Sequence, residues 1–222
     1  MRTQFHDSLD QLATLLRLMC RHDLTAIDAA TDAVLRADVG SAESVIDTAA
    51  IVATLGEECE NTAVSLLALQ APVAGELRQV VTAIQLGGEL TRMAALAEHI
   101  ALTARRRHPK HAVPESVRPI VARMGSAAVG IVRGALEVLD TRDPHKAAAL
   151  TELDDVMNGV HRELLTAILS NDWAESTTAV VDLTLLGRYY ERFADRAAEV
   201  GRRTIFMTTG QNPDTWIPDQ GA

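Results

Sequence analysis

Apolar residues recur along this chain in steps of three and four, interrupted by Gly, Pro and short polar clusters. That spacing predicts amphipathic helices, and the interruptions divide them into six. The first covers about 3–37, with no Gly or Pro inside it. Asp38-Val39-Gly40-Ser41 ends it, with Gly40 expected to cap one helix and Ser41 to open the next. The second covers about 42–69, is broken by Gln70 to Gly75, and is followed by a third over about 75–107. His108 to Pro114 is the clearest linker. A fourth helix covers about 115–139, with Pro119 in its opening turns. Asp143-Pro144 is an N-cap followed by Pro at the first helical position, and the fifth helix reaches about Ser170. After a turn over 171–176, the sixth reaches about Met207. No strand pattern is present. The prediction is an all-α chain of two tandem three-helix bundles, 1–109 and 110–209. A tail over 210–222 has little to bury and is expected to be disordered.

The two bundles read as copies of one unit. In the third helix Ala83, Leu86, Leu90, Met93, Ala97 and Ile100 carry the core. One hundred residues on, Leu183, Leu186, Tyr190, Phe193, Ala197 and Val200 repeat that spacing. The second and fifth helices match at an offset of 105, with Thr48, Val52, Leu55 and Cys59 against Leu153, Met157, Val160 and Leu164. The change of offset leaves the first half about five residues longer before its third helix, in the PVAGEL segment.

Composition narrows the class. Hydrophobic residues make up 47% of the 222 and aromatics 3%, which suits an Ala- and Leu-rich helical chain. A net charge of −9 argues against non-specific nucleic-acid binding. Cys20 and Cys59 fall at apolar-periodic positions and read as buried thiols of a reducing compartment. Met1-Arg2-Thr3-Gln4 enters a polar helix start without the pattern of a signal peptide. No apolar run approaches the ~20 residues of a membrane span. A cytoplasmic location is expected.

With the core face assigned, the polar residues can be placed. Glu191 and Asp195 are four apart and share one helix face. On the fifth helix Asp154, Asn158 and His161 line one flank, with Asp155 beside them. The short connection makes these helices antiparallel neighbours, so the two acidic rows could converge on a cation. Oxygen ligands favour hard ions, and His161 tilts the choice toward a transition metal. The donor set Asp154, Asp155, Asn158, Glu191 and Asp195 does not distinguish Fe, Mn, Mg or Zn. The plain alternative is a salt-bridged surface, with Arg188 pairing to Glu191 and Arg192 to Asp195. An interior di-iron site would need Glu-x-x-His pairs, and the chain has none.

The first half lacks this pattern. Ala49, Ala50, Ala53 and Gly56 stand for Asp154, Asp155, Asn158 and His161, and Thr91 and Ala95 for Glu191 and Asp195. Any metal ion is therefore expected at the second bundle only. Glu89, Glu98 and His99 lie nearby without reproducing the set. The resulting small-residue strip is either a docking surface or a helix face rich in Ala for its propensity. Arg105, Arg106, Arg107, His108 and Lys110 cluster at a helix end, where they complement the helix dipole or meet phosphate or an acidic partner. Six of the seven aromatic residues follow residue 170, which suggests a stiffer second core, with Trp216 an isolated anchor in the tail.

LLALQAPVAGELR (66–78), ELTRM (89–93), ELDDVMNGVHREL (152–164) and GRYYERFADRAAEV (187–200) together resemble the PhoU/PhoY family of phosphate-signalling regulators, in its actinobacterial branch. The resemblance runs from about residue 1 to 209 and implies two three-helix bundles. It also implies a surface metal motif, Glu/Asp-x-x-x-Asp, on the last helix of each bundle. Here the motif is present as Glu191 to Asp195 with Asp154 and Asp155, carries Asn158 where Asp is usual, and is lost at Thr91 and Ala95. The role implied is non-enzymatic: negative regulation of phosphate uptake and of the phosphate-starvation response. The implied partners are the ATPase of a phosphate ABC transporter and a sensor histidine kinase, and the implied state is a cytoplasmic homodimer. The competing reading is a metal-binding carboxylate bundle with an enzymatic or storage role.

Overall fold

The structure is a computed structural model that describes residues 2–216, with side chains from Phe5 onward. Six α-helices make up the described residues: α1 (Arg2–Arg36), α2 (Val39–Gln70), α3 (Ala74–Arg107), α4 (Arg118–Thr141), α5 (Pro144–Ile168) and α6 (Thr177–Thr209). A short 3-10 turn over Glu115–Val117 leads into α4. Each half forms a three-helix bundle, as the repeat predicts.

Local signals explain most boundaries. Asp143 caps α5 by accepting from the backbone N–H of His145 and Lys146, with Pro144 at the first helical position. Ser176 caps α6 by accepting from Ala179 N–H. Gly210 ends α6 in the left-handed region, at φ 73°, where a Cβ would also run into the Arg78 guanidinium. The first connection differs from its prediction. Ala37 is the left-handed residue (φ 55°), and the Asp38 carboxylate, not Ser41, caps α2 by accepting from Gly40 and Ser41 N–H. An aspartate reaching two donors satisfies more of the helix start than one serine hydroxyl does, so α2 begins at Val39 and Gly40 lies inside it.

Within the first bundle α1, α2 and α3 pack on one another; within the second α4, α5 and α6 do. The bundles then join along two antiparallel seams, α1 on α4 and α3 on α6. One hydrophobic core runs through both. At the α1–α4 seam Cys20 Sγ lies 3.8 Å from Val132 O, and Gly125 lets Thr31 approach where any Cβ would collide with it. The Thr31 hydroxyl also meets the Tyr190 hydroxyl at 2.9 Å, across 159 residues of sequence. α2 and α5 occupy the outer flanks.

Tyr190 and Phe193, with Met93 of α3, are fully buried in the joined core. Both cysteines are free and 0% exposed. Burial, together with Glu58 and Glu60, pushes the Cys59 thiol up to about 11, and burial holds Cys20 well above its usual value. Neither thiol is a ready nucleophile.

Contrary to the expectation from the sequence, α2 and the helix over 115–141 are long and apolar enough on average to cross a membrane. Ala, Val and Gly with few charges raise the average. The α4 segment contributes nine residues to the core, and α2 is packed on α1 and α3 along one face only. In the tail, Asp214 pairs with Arg202 at 2.7 Å, and the Trp216 ring sits edge-on to His145 with centroids 5.3 Å apart. Residues 210–216 follow the surface of the second bundle; the rest of the tail expected to be disordered, 217–222, lies outside the described residues.

Candidate functional site: the acidic seam of the second bundle

α5 and α6 bring the acidic rows together as their spacing predicts. Asp154, Asn158 and His161 on α5 and Glu191 and Asp195 on α6 are half-buried along the seam, while Asp155 is exposed beside them. The Asp154 carboxyl is pushed above the usual carboxylate range by burial first, then by the charge of Asp195, and to a lesser degree by Asp155 and Glu191. Asn158 donates from Nδ2 to Asp154 Oδ2 at 3.1 Å, while Asp154 Oδ1 is buried and has no hydrogen-bond partner. His161 is lowered by burial, against the opposing pull of Glu191. A Cβ on Gly187 would come 2.9 Å from His161 Cδ2, so this glycine makes room for the imidazole.

The seam is electrically unfinished. Arg188 holds Glu191 through both carboxylate oxygens at 2.6 and 2.7 Å. The expected pair between Arg192 and Asp195 does not form, and Asp195 has neither ion pair nor hydrogen bond among the described residues. An orphaned Asp154 oxygen facing two further carboxylates suits a cation. Yet among the described residues no three His, Cys, Asp or Glu side chains already stand in metal-holding geometry. The chemistry of the donors fits a hard ion, although their arrangement does not bring three of them around one point.

The first bundle uses the corresponding positions for packing. A Cβ on Gly56 would lie 2.6 Å from Thr91 Oγ1, and Thr91 Oγ1 donates to Gly87 O at 2.9 Å. Gly87 in turn has Cys59 Sγ at 3.5 Å from where its Cβ would be. Gly56 of the small-residue strip, together with Gly87, therefore serves the close approach of α2 and α3, while Ala50 and Ala53 remain exposed. Glu89, 5% exposed, bonds Arg92 at 2.9 Å and Arg196 of α6 at 3.2 Å. His99 stacks on Tyr189, centroids 5.2 Å apart. These two residues join bundles and hold no site of their own.

The basic cluster at the end of α3 is largely neutralised from within. Arg105 meets Glu43 at 3.2 Å, and Arg107 grips Asp182 of α6 at 2.6 and 3.1 Å with Arg106 at 3.7 Å. Asp182 is 3% exposed and pins the start of α6 to the end of α3. Sequence reasoning missed it; its one signal is an acidic residue adjoining the apolar-periodic Leu183. Asp23 was missed too: it is fully buried in α1, neither oxygen has a partner, and burial holds its carboxyl well above the usual range.

The fold is a tandem pair of three-helix bundles built from one repeated unit, with one acidic seam. A family model described as the PhoU domain matches residues 16–104 and 121–204. A Mycobacterium leprae protein called phosphate-specific transport system accessory protein PhoU homolog 1 is 49% identical over 214 residues, covering 96% of either chain. A Mycobacterium tuberculosis protein, homolog 2 of the same name, is 49% identical over 213 residues and is covered completely. The crystal structure of PhoU from Pseudomonas aeruginosa superposes with a TM-score of 0.82 over 93% of this chain, at 21% identity. The chain belongs to the PhoU family.

Proposed function

We propose that this protein is a cytoplasmic negative regulator of phosphate uptake and of the phosphate-starvation response. It acts without catalysis, as a homodimer, by binding the ATPase of a phosphate ABC transporter and a sensor histidine kinase. The observation that carries the reading is end-to-end likeness: at 49% identity the M. leprae relative named as an accessory protein of phosphate-specific transport is matched over 96% of its length. Deleting the gene is expected to raise phosphate-starvation transcripts several-fold in phosphate-replete medium, measured by quantitative RNA analysis in a strain lacking any paralogue. Unchanged transcripts in that strain would overturn the reading.

The acidic seam is proposed to take one divalent or ferric ion, Fe, Mn, Mg or Zn, through Asp154, Asp155, Asn158, Glu191 and Asp195. The unpartnered Asp154 oxygen and the uncompensated Asp195 support this. A bound ion would supply the positive charge that the seam lacks, with Arg188 releasing Glu191. Elemental analysis of purified protein is expected to find metal that a Glu191→Ala/Asp195→Ala variant has lost. Equal content in both proteins would remove the site.

A further inference from the structure

α2 carries a row of side chains that no helix of its own chain covers. Thr54, Glu57, Glu58, Asn61, Ser65 and Leu69 succeed one another at steps of three, one, three, four and four, on one face. With Ser8 of α1 at its edge, this row lines a groove of about 590 Å³. Steps of this kind form the seam along which a second helix packs.

The second bundle shows what completes such a row. There Arg123 of α4 forms an ion pair with Glu163 of α5. The two domain matches begin at residues 16 and 121, so the same offset of 105 pairs Glu163 with Glu58 and Arg123 with Leu18. Leu18 is 38% exposed and has no charge to offer. Glu58 is left with a 3.4 Å contact from the Gln11 amide. Glu57 and Glu60 have no ion pair among the described residues, and no Lys or Arg among them lines the groove. Further along the same helix the apolar end stands in solvent: Val64 is 52% exposed, Leu69 78%, and Val73 beyond the helix end 71%. A row of unpaired acid followed by bare Leu and Val is an incomplete packing surface.

We infer that this row docks a basic amphipathic helix of a partner protein, its Arg or Lys set against Glu57 and Glu58 and an apolar side chain over Leu69. The inference rests on the reading that this chain works by binding other proteins. Glu58 and Leu69 are eleven residues apart, about 16 Å along the axis, so the partner's cation and its apolar anchor are separated by about three turns. Anionic lipid is disfavoured, because its headgroups would meet Glu57, Glu58 and Glu60. A second copy is disfavoured because an isologous contact brings this row against itself, which supplies no cation.

The test uses the full chain and a fluorescein-labelled helical peptide of about 20 residues. The peptide carries two arginines in successive turns and two leucines about three turns further on. Fluorescence anisotropy is expected to show binding that weakens about tenfold or more when the arginines become glutamates. Glu57→Lys/Glu58→Lys should reverse that preference, Leu69→Asp should weaken either peptide about tenfold, and Glu115→Lys on the other bundle should change nothing. If the double variant fails to fold by circular dichroism, Glu58→Gln serves, with a loss of about threefold expected. Equal binding of the two peptides, or indifference to charge reversal, overturns the proposal. So does a Leu69→Asp chain whose only change is a dimer turned monomer, or lost sedimentation with phosphatidylglycerol vesicles. Transcripts unchanged by deletion, with peptide binding intact, would remove the phosphate reading and leave the docking surface standing.

Discussion

At the seam between α5 and α6, Asp154, Glu191 and Asp195 face one another, and His161 is accommodated by Gly187. At the seam between α2 and α3 the same positions hold Ala49, Thr91 and Ala95, and Gly56 takes the place of the histidine. The backbones correspond helix for helix, and both seams spend a glycine on close approach. In one bundle the room serves an imidazole beside three carboxylates; in the other it lets two helices touch through Thr91 and Cys59. A repeat preserves what the core requires, because core positions are set by packing on both neighbours. It leaves positions outside the shared core to diverge where facing residues change together, as Gly56 and Thr91 stand in place of His161 and Glu191.

If the unequal surfaces sit on one shared core, a core substitution in either half destabilises the whole chain. Phe193→Ala is expected to cost about 3–5 kcal/mol and Met93→Ala about 2–5 kcal/mol, read from urea denaturation. Both should shift a single transition, since one hydrophobic cluster runs through both bundles. A biphasic curve, with only one half lost, would show the bundles to be separate folding units.

A smaller effect distinguishes the two ends of the α3–α6 seam. Asp182 is buried against Arg107, whereas its counterpart Thr82 is buried with no hydrogen-bond partner. Asp182→Asn should lose about 1.5–3 kcal/mol, the worth of hydrogen bonds to a charged group. Thr82→Val should be neutral or slightly stabilising, since it removes an unsatisfied hydroxyl. A comparable loss in both variants, measured by thermal melting, would mean that the seam is held equally at its two ends.

The smallest expected effect lies in the acidic seam and depends on pH. The folded-state pKa of Asp154 is raised, so between its ordinary value of 3.8 and that raised value the folded state binds the proton more tightly. Stability therefore falls as pH rises through this window, and a constant penalty persists above it. Asp154→Asn should raise the melting temperature of metal-free protein at neutral pH, by a degree or so on the order of a fraction of a kcal/mol. The gain should vanish below about pH 3.8. A variant less stable than the parent at neutral pH, in the presence of chelator, would contradict the uncompensated seam.

Much of the fold was legible because helical periodicity, Pro and N-cap signals are local. Asp143-Pro144 announced α5, and the tandem core spacing announced two bundles. The start of α2 was misread because Ser41 is as good a cap as Asp38 on sequence grounds; only the chain path decides which side chain reaches the free N–H groups. The acidic seam was legible from i, i+4 spacing on two helices joined by a short turn. The Arg192 pairing was not, because a long exposed side chain has many rotamers and spacing alone does not select one.

Six helices, their pairing into two bundles, the face each buries and the absence of one acidic motif are written in the amino-acid sequence. All of these follow from periodicity and from comparing one half with the other. The tertiary structure alone decided how the halves join. It set Arg107 on Asp182, Glu89 on Arg196 and the Tyr190 hydroxyl on Thr31, contacts 75, 107 and 159 residues apart. It also left Glu58 without the cation that Glu163 has. Such pairings depend on where helices from distant parts of the chain meet, and that meeting is settled by packing the whole core at once rather than by any local run of residues.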